Sequence, residues 1–528
     1  MELIVSRPEG AQVVRDYVAG EGAAPAFFGR RFDDPRAFVE KAREVDGRFD
    51  RSARERAAEA LIVPEQGDRE RIERFVEEGG YMVTTGQQPG LYGGPLYSLY
   101  KGLTVVRLAE ALETVVEKPV IPLFWVGSED HDWAEANHAD VITVDNELQR
   151  FELPAPDPER TPPLHDIVLG SEADETMAAF LATLPDSEFS NTYLDLVRAG
   201  FGAGGTLSGG FHTLFQALLG RFGLFFTDAA HPVVKEQSAG VLLQELDRST
   251  ELEAVLQSTA DALLGAGYDL QVPLMDGGVN LFLDGPAGRE RVYREDGAFR
   301  LRSSGEVLDR AAIEARRAAD PRSLSPNVML RPVVESAVFP TLSYVGGPGE
   351  MAYFAQLRAY FEAHGIEMPI IFPRWGVTVV ESKVRKVLTK FGVDVGDMSR
   401  PFHELSSEIA RDDVPDEVRA AIGKLRGALG SGVSELQKSA SRIDPTLKGT
   451  VAHFRSQAFD ALSDVEKKIT AAVKRESEIT LSQLEKAQLH LFPYGKPAER
   501  VQGPLYFLTR YGDDFVDRLY DAFAVNFE

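Results

Sequence analysis

The sequence predicts an α/β protein, a doubly wound and mainly parallel sheet with a helical arm near its C-terminal end. Three observations carry this. Short apolar runs of strand length alternate with longer helical patterns between Tyr81 and Phe372. Two of the first runs end in chemically distinctive loops, one rich in glycine and one in acids. From Val418 onward, apolar residues recur three or four positions apart through two long stretches.

Taken in order, residues 1–75 read as helical and charged, without recognisable chemistry. Tyr81–Thr85 is an apolar, β-branched run that enters Gly86-Gln87-Gln88-Pro89-Gly90-Leu91-Tyr92-Gly93-Gly94-Pro95. Pro95 suits a first helical position, where its φ is already right and no N–H is orphaned. Leu96, Leu99, Leu103, Val106 and Leu112 continue at helical spacing. Pro119–Val126 is a second strand, closed by Gly127-Ser128-Glu129-Asp130-His131-Asp132, which completes a βαβ unit. Residues 145–190, rich in Pro, Asp and Glu, read as an insertion. Gly223–Thr227 is a third strand, closed by Asp228, and His231-Pro232 opens a long helix to about Ala266.

A second insertion covers 267–305. From Val279 to Arg302 the apolar period becomes two, and Asp284-Gly285 and Asp296-Gly297 are turn pairs, so a small antiparallel meander is expected. Leu342–Val345 and Pro369–Phe372 are further strands. Between them Gly346-Gly347-Pro348-Gly349 precedes a helix over Glu350–His364. The core is therefore expected over 76–384, the arm over 385–490, and a tail packed on the core over 491–528. In the arm, Val418, Ile422, Leu425, Leu429, Val433 and Leu436 form one seam, and Leu447, Val451, Phe454, Ala458, Leu462 and Val465 another. Asp444-Pro445 interrupts them, which predicts an antiparallel helical hairpin. Its seam either folds on itself or pairs two copies in a symmetric homodimer.

Composition excludes several functions. Lys and Arg total 57 against 82 Asp and Glu, a formal charge of −25. That argues against nonspecific nucleic-acid binding and against docking on an anionic membrane, while leaving room for a local basic pocket. Cysteine is absent, so disulfides, thiolate nucleophiles and Cys-ligated zinc are excluded. The start MELIVSRPEG lacks a basic-then-apolar leader pattern, and no apolar run approaches the ~18 residues of a membrane span. A cytoplasmic protein is expected.

The chemistry concentrates in a few places. Gly86, Gly90, Gly93 and Gly94 let backbone amides approach a ligand, and the following helix aims its positive end there, which suits a phosphate or carboxylate. Lys101 sits about two turns in and would reach back. A tight structural turn is the alternative; the loop is neither a Walker A sequence nor GxGxxG. Glu129, Asp130, His131 and Asp132 stand at the carboxyl end of a strand, where open α/β sheets bind ligands. His131 would act as general base with Asp130 or Asp132 orienting it, and Mg²⁺ would suit the carboxylates. In an extended segment, Glu129 and His131 would share one side. A capped helix start, with Asp132 as N-cap, also accounts for the cluster. Arg331 and Arg374 suit an anionic ligand or a salt bridge, Asp228 a ribose hydroxyl, and Gly347-Pro348-Gly349-Glu350 a second anion-binding turn. The other histidines show no metal-ligand spacing, and neither GxSxG nor HExxH occurs.

The run Thr85-Gly86-Gln87-Gln88-Pro89-Gly90-Leu91…Gly94-Pro95-Leu96-Tyr97…Lys101, followed by Phe124-Trp125-Val126…Glu129-Asp130-His131-Asp132, resembles the BshC family, assigned the cysteine-ligase step of bacillithiol biosynthesis. Asn327…Arg331-Pro332, Gly347-Pro348-Gly349-Glu350, Pro373-Arg374 and the tail Glu499-Arg500…Leu508-Thr509-Arg510-Tyr511-Gly512 fit it too. Gly93 stands where a Thr is common, and Ala498 where a Gln often precedes Glu-Arg. The resemblance implies a Rossmann-like core with connective-peptide insertions and a C-terminal coiled coil that supports a homodimer. It implies ATP-dependent addition of cysteine to the amine of glucosaminyl-malate. The glycine loop would take the place of the first ATP motif of class I aminoacyl-tRNA synthetases, whose HIGH sequence is absent. Gly86, Gln87, Gln88, Gly90, Gly94, Lys101, Trp125, Asn327, Arg331, Gly347, Gly349, Glu350 and Arg374 would line the nucleotide and substrate sites. The alternatives are another nucleotide-binding acyl or nucleotidyl transferase and a non-catalytic dimeric nucleotide-binding scaffold.

Overall fold

A computed structural model describes the chain except residues 64–68, 158–159, 413, 477 and 528. Those parts of the expected N-terminal segment, first insertion, arm and tail lie outside the described residues. The chain forms two compact units. One comprises Leu3–Thr378 with Glu499–Glu528, the other Val379–Ala498 with Met1–Glu2.

The first unit is built on five parallel strands: β1 (Tyr81–Gln87), β2 (Val120–Val126), β3 (Phe225–Asp228), β4 (Thr341–Gly346) and β5 (Ile370–Pro373). Their spatial order is β5-β4-β1-β2-β3, and every pairing is parallel. All seven residues of β2 are buried. Such a strand has helices on both faces and so reads as an unbroken apolar run. The order reverses between β1 and β4, and an open sheet of this kind has its crevice outside the carboxyl ends at that switch point. The register brings those ends level: Gly86 pairs with Trp125, Val126 with Asp228 and Gly346 with Pro373.

The helix between β1 and β2 spans Tyr97–Val116, two residues later than Pro95 suggested. The Leu96 N–H donates to the Gln502 carbonyl at 2.8 Å, so the tail occupies part of the first turn. The long helix expected to Ala266 is two, Pro232–Asp247 and Ser249–Gly265, broken at Arg248. That expected over Glu350–His364 is also two, Pro348–Phe354 and Arg358–Ala363. The meander is present and larger than expected. Gly278–Gly285, Gly288–Glu295 and Ala298–Leu301 pair antiparallel, and Val307–Leu308 and Leu324–Pro326 flank them. Its first hairpin turns at Pro286-Ala287, because Gly285 pairs with Gly288, not at Asp284-Gly285. The second turns at Asp296 (φ 46°) and Gly297 (φ 83°), the positive-φ pair that a tight hairpin requires.

In the second unit, Asp416–Ile443 and Leu447–Glu476 form the expected hairpin within one chain. The Asp444 carboxylate caps the turn by accepting from the Thr446 N–H and hydroxyl, both at 2.8 Å. Val433, Val451 and Leu462 are buried, whereas Leu425, Leu436, Ile443, Phe454 and Val465 are exposed. Among the described residues, no helix is long and apolar enough to cross a membrane.

Candidate active site

A cavity of about 540 Å³ opens at the carboxyl edge of the parallel sheet, at the switch point. Gly86 and Gln87 reach it from β1, Trp125 from β2, Tyr344 from β4 and Arg374 from just beyond β5. Its lining carries six cationic side chains, Lys101, Arg289, Arg291, Arg331, Arg374 and Arg500, against four carboxylates, Glu129, Asp130, Glu135 and Glu350. The cavity thus inverts the charge balance of the acidic chain around it, which suits an anionic occupant.

The glycine loop divides into two parts with different roles. Gly86, Gln87 and Gln88 line the cavity. Gly90 and Gly94 do not: a Cβ on Gly90 would lie 2.7 Å from the Gly94 Cα, so these glycines let the chain double back on itself. Gly93, at φ 95°, fits against Leu214 and Phe215. Packing therefore explains the second half of the loop, which corrects its expected role as a ligand cradle. Lys101 does reach back. Its ammonium donates to the Gly86 carbonyl at 2.7 Å and the Gln87 side chain at 3.0 Å, and pairs with Glu350 at 2.6 Å.

Glu350 also accepts from the Tyr344 hydroxyl at 2.6 Å and the Gly347 N–H at 2.8 Å. Burial works to raise its pKa, but Lys101 and these donors hold it below the ordinary carboxylate range. For Lys101, burial wins and pulls the ammonium below its ordinary value, with Glu350 opposing. Gly347, Pro348 and Gly349 face the cavity beside them.

The acidic loop is not extended, so its four residues do not alternate as expected. Glu129 is buried against the Lys235 ammonium, which also donates to the Leu324 carbonyl at 2.7 Å. Asp130 accepts from the backbone N–H groups of His131 (2.7 Å) and Asp132 (3.2 Å) and from the Gln88 side chain. That last bond couples the two loops across the cavity. Asp132 is the N-cap of Trp133–Ala136, accepting from the Glu135 N–H at 3.0 Å, and does not line the cavity. Asp132 is therefore corrected from a catalytic candidate to a cap. The carboxylate expected to orient His131 is displaced by Arg289, whose guanidinium lies 2.9 Å from Nδ1, while Asp130 stands 3.5 Å away. Burial, and after it Arg289, lower the His131 imidazole below its ordinary value against the pull of Asp130 and Asp132. Glu135 stands at the same rim, raised by burial and by Asp132 and Asp130. Among the described residues, no group of three or more His, Asp or Glu side chains converges to hold a metal ion.

Arg331 and Arg374 both line the cavity, and each makes the ion pair that the sequence offered as the alternative to an anionic ligand. Arg331 donates to Glu335 at 2.6 Å and to the hydroxyls of Tyr344 (3.1 Å) and Tyr353 (3.2 Å). Burial opposes its charge, but the tyrosines and Glu335 hold it as a guanidinium. Arg374 pairs with Glu499 at 2.6 Å, which brings the tail's Arg500 to the cavity rim. Asn327 lines the cavity, but its side chain holds a turn, bonding Asn280 and the N–H groups of Met329 and Leu330. Asp228 is corrected from a ribose contact: Ser128, Ser208 and the Ala230 N–H satisfy it, and it lies outside the lining.

Arg289, Arg291, Phe282, Tyr344 and Tyr353 were not foreseen. Three come from the meander, where nothing in the local sequence marks them, and the two tyrosines fall inside an expected strand and an expected helix. Arg500 sat inside a motif noted for resemblance, without an assigned place.

The model of the bacillithiol biosynthesis BshC N-terminal Rossmann-like domain matches residues 1–375, and that of the BshC C-terminal coiled-coil domain matches residues 377–526. A Salinibacter ruber protein is 31% identical over 86% of this chain and 83% of its own length. A Solibacter usitatus protein is 30% identical over 85% and 84% respectively. A Geobacillus thermodenitrificans protein is 27% identical over 98% and 96%. Each bears the name "Putative cysteine ligase BshC".

Proposed function

The chain belongs to the BshC family of bacillithiol biosynthesis, and from that premise we propose that it is an ATP-dependent ligase joining the carboxyl group of cysteine to the amine of glucosaminyl-malate. The observation that carries the reading is the cationic cavity at the switch point. A triphosphate and the carboxylates of a malate group are both strongly anionic, and the rest of the chain would repel them.

A carboxylate resists attack by an amine. Attack of the carboxylate oxygen on a phosphorus of ATP would form a mixed acyl–phosphate anhydride and break a P–O bond of the nucleotide, releasing pyrophosphate where an acyl-adenylate forms or ADP where an acyl phosphate forms. In the second step the C–N bond forms, the acyl C–O bond to phosphate breaks, and the amine loses a proton. Arg331 and Arg374 would stabilise phosphate and carboxylate charge through both steps, Lys101 would add positive field from its ties to Gly86, Gln87 and Glu350, and Arg500 at the rim would draw the anion in. Gln87 and Gln88 offer amides beside the reacting groups, and holding both substrates in one cavity supplies much of the acceleration. Mg²⁺ would arrive with the nucleotide. The exposed apolar residues of the arm support pairing of two copies.

The test is direct. Purified protein with ATP, Mg²⁺, cysteine and glucosaminyl-malate should yield bacillithiol by mass spectrometry, with one ATP consumed per product. Folded protein that binds the substrates but forms no product overturns the reading.

A further inference from the structure

We infer that Arg289 fixes His131 as a neutral ring with its proton on Nε2, so that His131 serves the site as a hydrogen-bond donor and not as the general base. The donor role rests on the ligase reading above; the tautomer does not.

Each nitrogen of the Arg289 guanidinium has a fixed partner. Nε donates to the Ser325 hydroxyl at 2.9 Å, one terminal nitrogen to the Pro326 carbonyl at 2.7 Å, and the other faces His131 Nδ1 at 2.9 Å. The side chain is buried, with its Cζ 4.0 Å from the Phe282 ring centroid. A guanidinium has donors only and keeps its charge. Nδ1 must therefore present a lone pair, and the proton of the neutral ring belongs on Nε2. Turning the ring over would set a C–H against the guanidinium and lose the bond. Protonating Nδ1 would set donor against donor at 2.9 Å.

The charged groups facing the ring are Arg289 from the meander and Asp130 and Asp132 from its own loop, with Phe282 closing one side. The two carboxylates favour an imidazolium. Asp130 is already engaged by two backbone N–H groups and Gln88, and Asp132 by the Glu135 N–H. Neither approaches Nδ1 as closely as Arg289. Among the described residues Nε2 has no hydrogen-bond partner, and His131 lines the cavity, so Nε2–H is left for its occupant.

With Nδ1 occupied by Arg289 and Nε2 protonated, the ring has no lone pair free to accept the amine proton. It can donate to an oxygen on which negative charge grows, as when a carboxyl is activated or attacked, and a fixed neutral donor does this without reorganisation. Arg289 is then a positioning residue. The antiparallel insertion, which adds nothing to the parallel sheet, supplies it.

Two measurements on the full-length protein test this. In protein labelled with ¹⁵N-histidine, the His131 signals are identified by their loss in His131→Gln. They should show the Nε2–H tautomer, and the ring should take up its second proton only below the pH at which an ordinary histidine of pKa about 6.5 does. Arg289→Lys should keep the tautomer, while Arg289→Met should let the ring titrate higher. An Nδ1–H ring, or one charging at the ordinary pH, overturns the role of Arg289 whatever the enzyme's activity. In turnover, Gln can place an amide N–H where Nε2–H stood. His131→Gln should stay within roughly tenfold of the native rate, and His131→Ala should lose roughly a hundredfold, as for removal of one transition-state donor. Equal loss in both variants overturns the donor role.

Discussion

The Lys101 ammonium lies 2.6 Å from the Glu350 carboxylate, so one ion pair bridges the helix that follows β1 and the helix that follows β4. Strands β1 and β4 are those between which the sheet order reverses. The pair crosses the crevice floor, and its remaining bonds run to Gly86, Gln87, Tyr344 and Gly347. Two residues that the sequence offered as separate anion-binding features are one structural tie.

Removing either partner strands a charge. Lys101 is 3% exposed and Glu350 21%. Lys101→Met should destabilise the protein by about 3–5 kcal/mol, and Glu350→Gln by somewhat less because its carboxylate meets the cavity. The double variant should recover part of the sum. Chemical denaturation of the four proteins measures this, and strict additivity would show that the two do not interact.

Asp284 predicts a pH dependence. Burial, and after it Asp166, push its carboxyl up to about 6, against Arg289 and Lys235. The folded value lies above the unfolded one, so its stabilising effect is complete below pH ~4 and is lost as pH rises through about 6. Asp284→Asn should therefore melt higher than the native protein at pH 7.5, with the difference vanishing near pH 4. A difference independent of pH would mean that Asp284 acts through packing alone.

The arm predicts an oligomer. Leu436 and Phe454 are each 50% exposed on a hairpin already held together by Val433, Val451 and Leu462. Apolar residues left over from the internal seam are what a second copy would cover. Analytical ultracentrifugation should find a dimer for the native chain and a monomer for Leu436→Asp/Phe454→Asp, with helical content unchanged. A monomeric native protein sinks the proposal.

How far the sequence could be read follows from what each feature depends on. The parallel strands were legible because burial on both faces leaves an unbroken apolar run, as in Val120–Val126. The arm was legible from its periodicity. The convergence of Gln87 and His131 on one cavity followed from both loops leaving the same sheet edge. What stayed hidden was tertiary. Whether a glycine faces a ligand or another glycine, as Gly90 faces Gly94, depends on a path several residues long. Arg289 lies 158 positions from His131, and no local pattern connects them. Helix breaks such as that at Arg248 carry no proline or glycine to mark them.

Arg374, just beyond β5, and Arg500, in the tail, separate binding from stability. Arg374 is 2% exposed and its guanidinium is engaged by Glu499 and the Trp375 carbonyl. Arg374→Ala leaves the Glu499 carboxylate buried without its cation, a change of the kind that costs about 3–5 kcal/mol, so the melting temperature should fall. Arg500 is exposed, borders the same cavity and has no carboxylate partner among the described residues. Its side chain contributes field and a fork of donors at the entrance, not packing. Arg500→Ala should leave the melting temperature within about a degree, as expected of an exposed surface change, and raise KM for an anionic substrate by about tenfold with kcat little altered. Added salt should narrow the gap between native and variant KM, because screening weakens an exposed cation that works at a distance. If Arg500→Ala lowers kcat at saturating substrate while KM stays fixed, Arg500 acts on the transition state and not on capture.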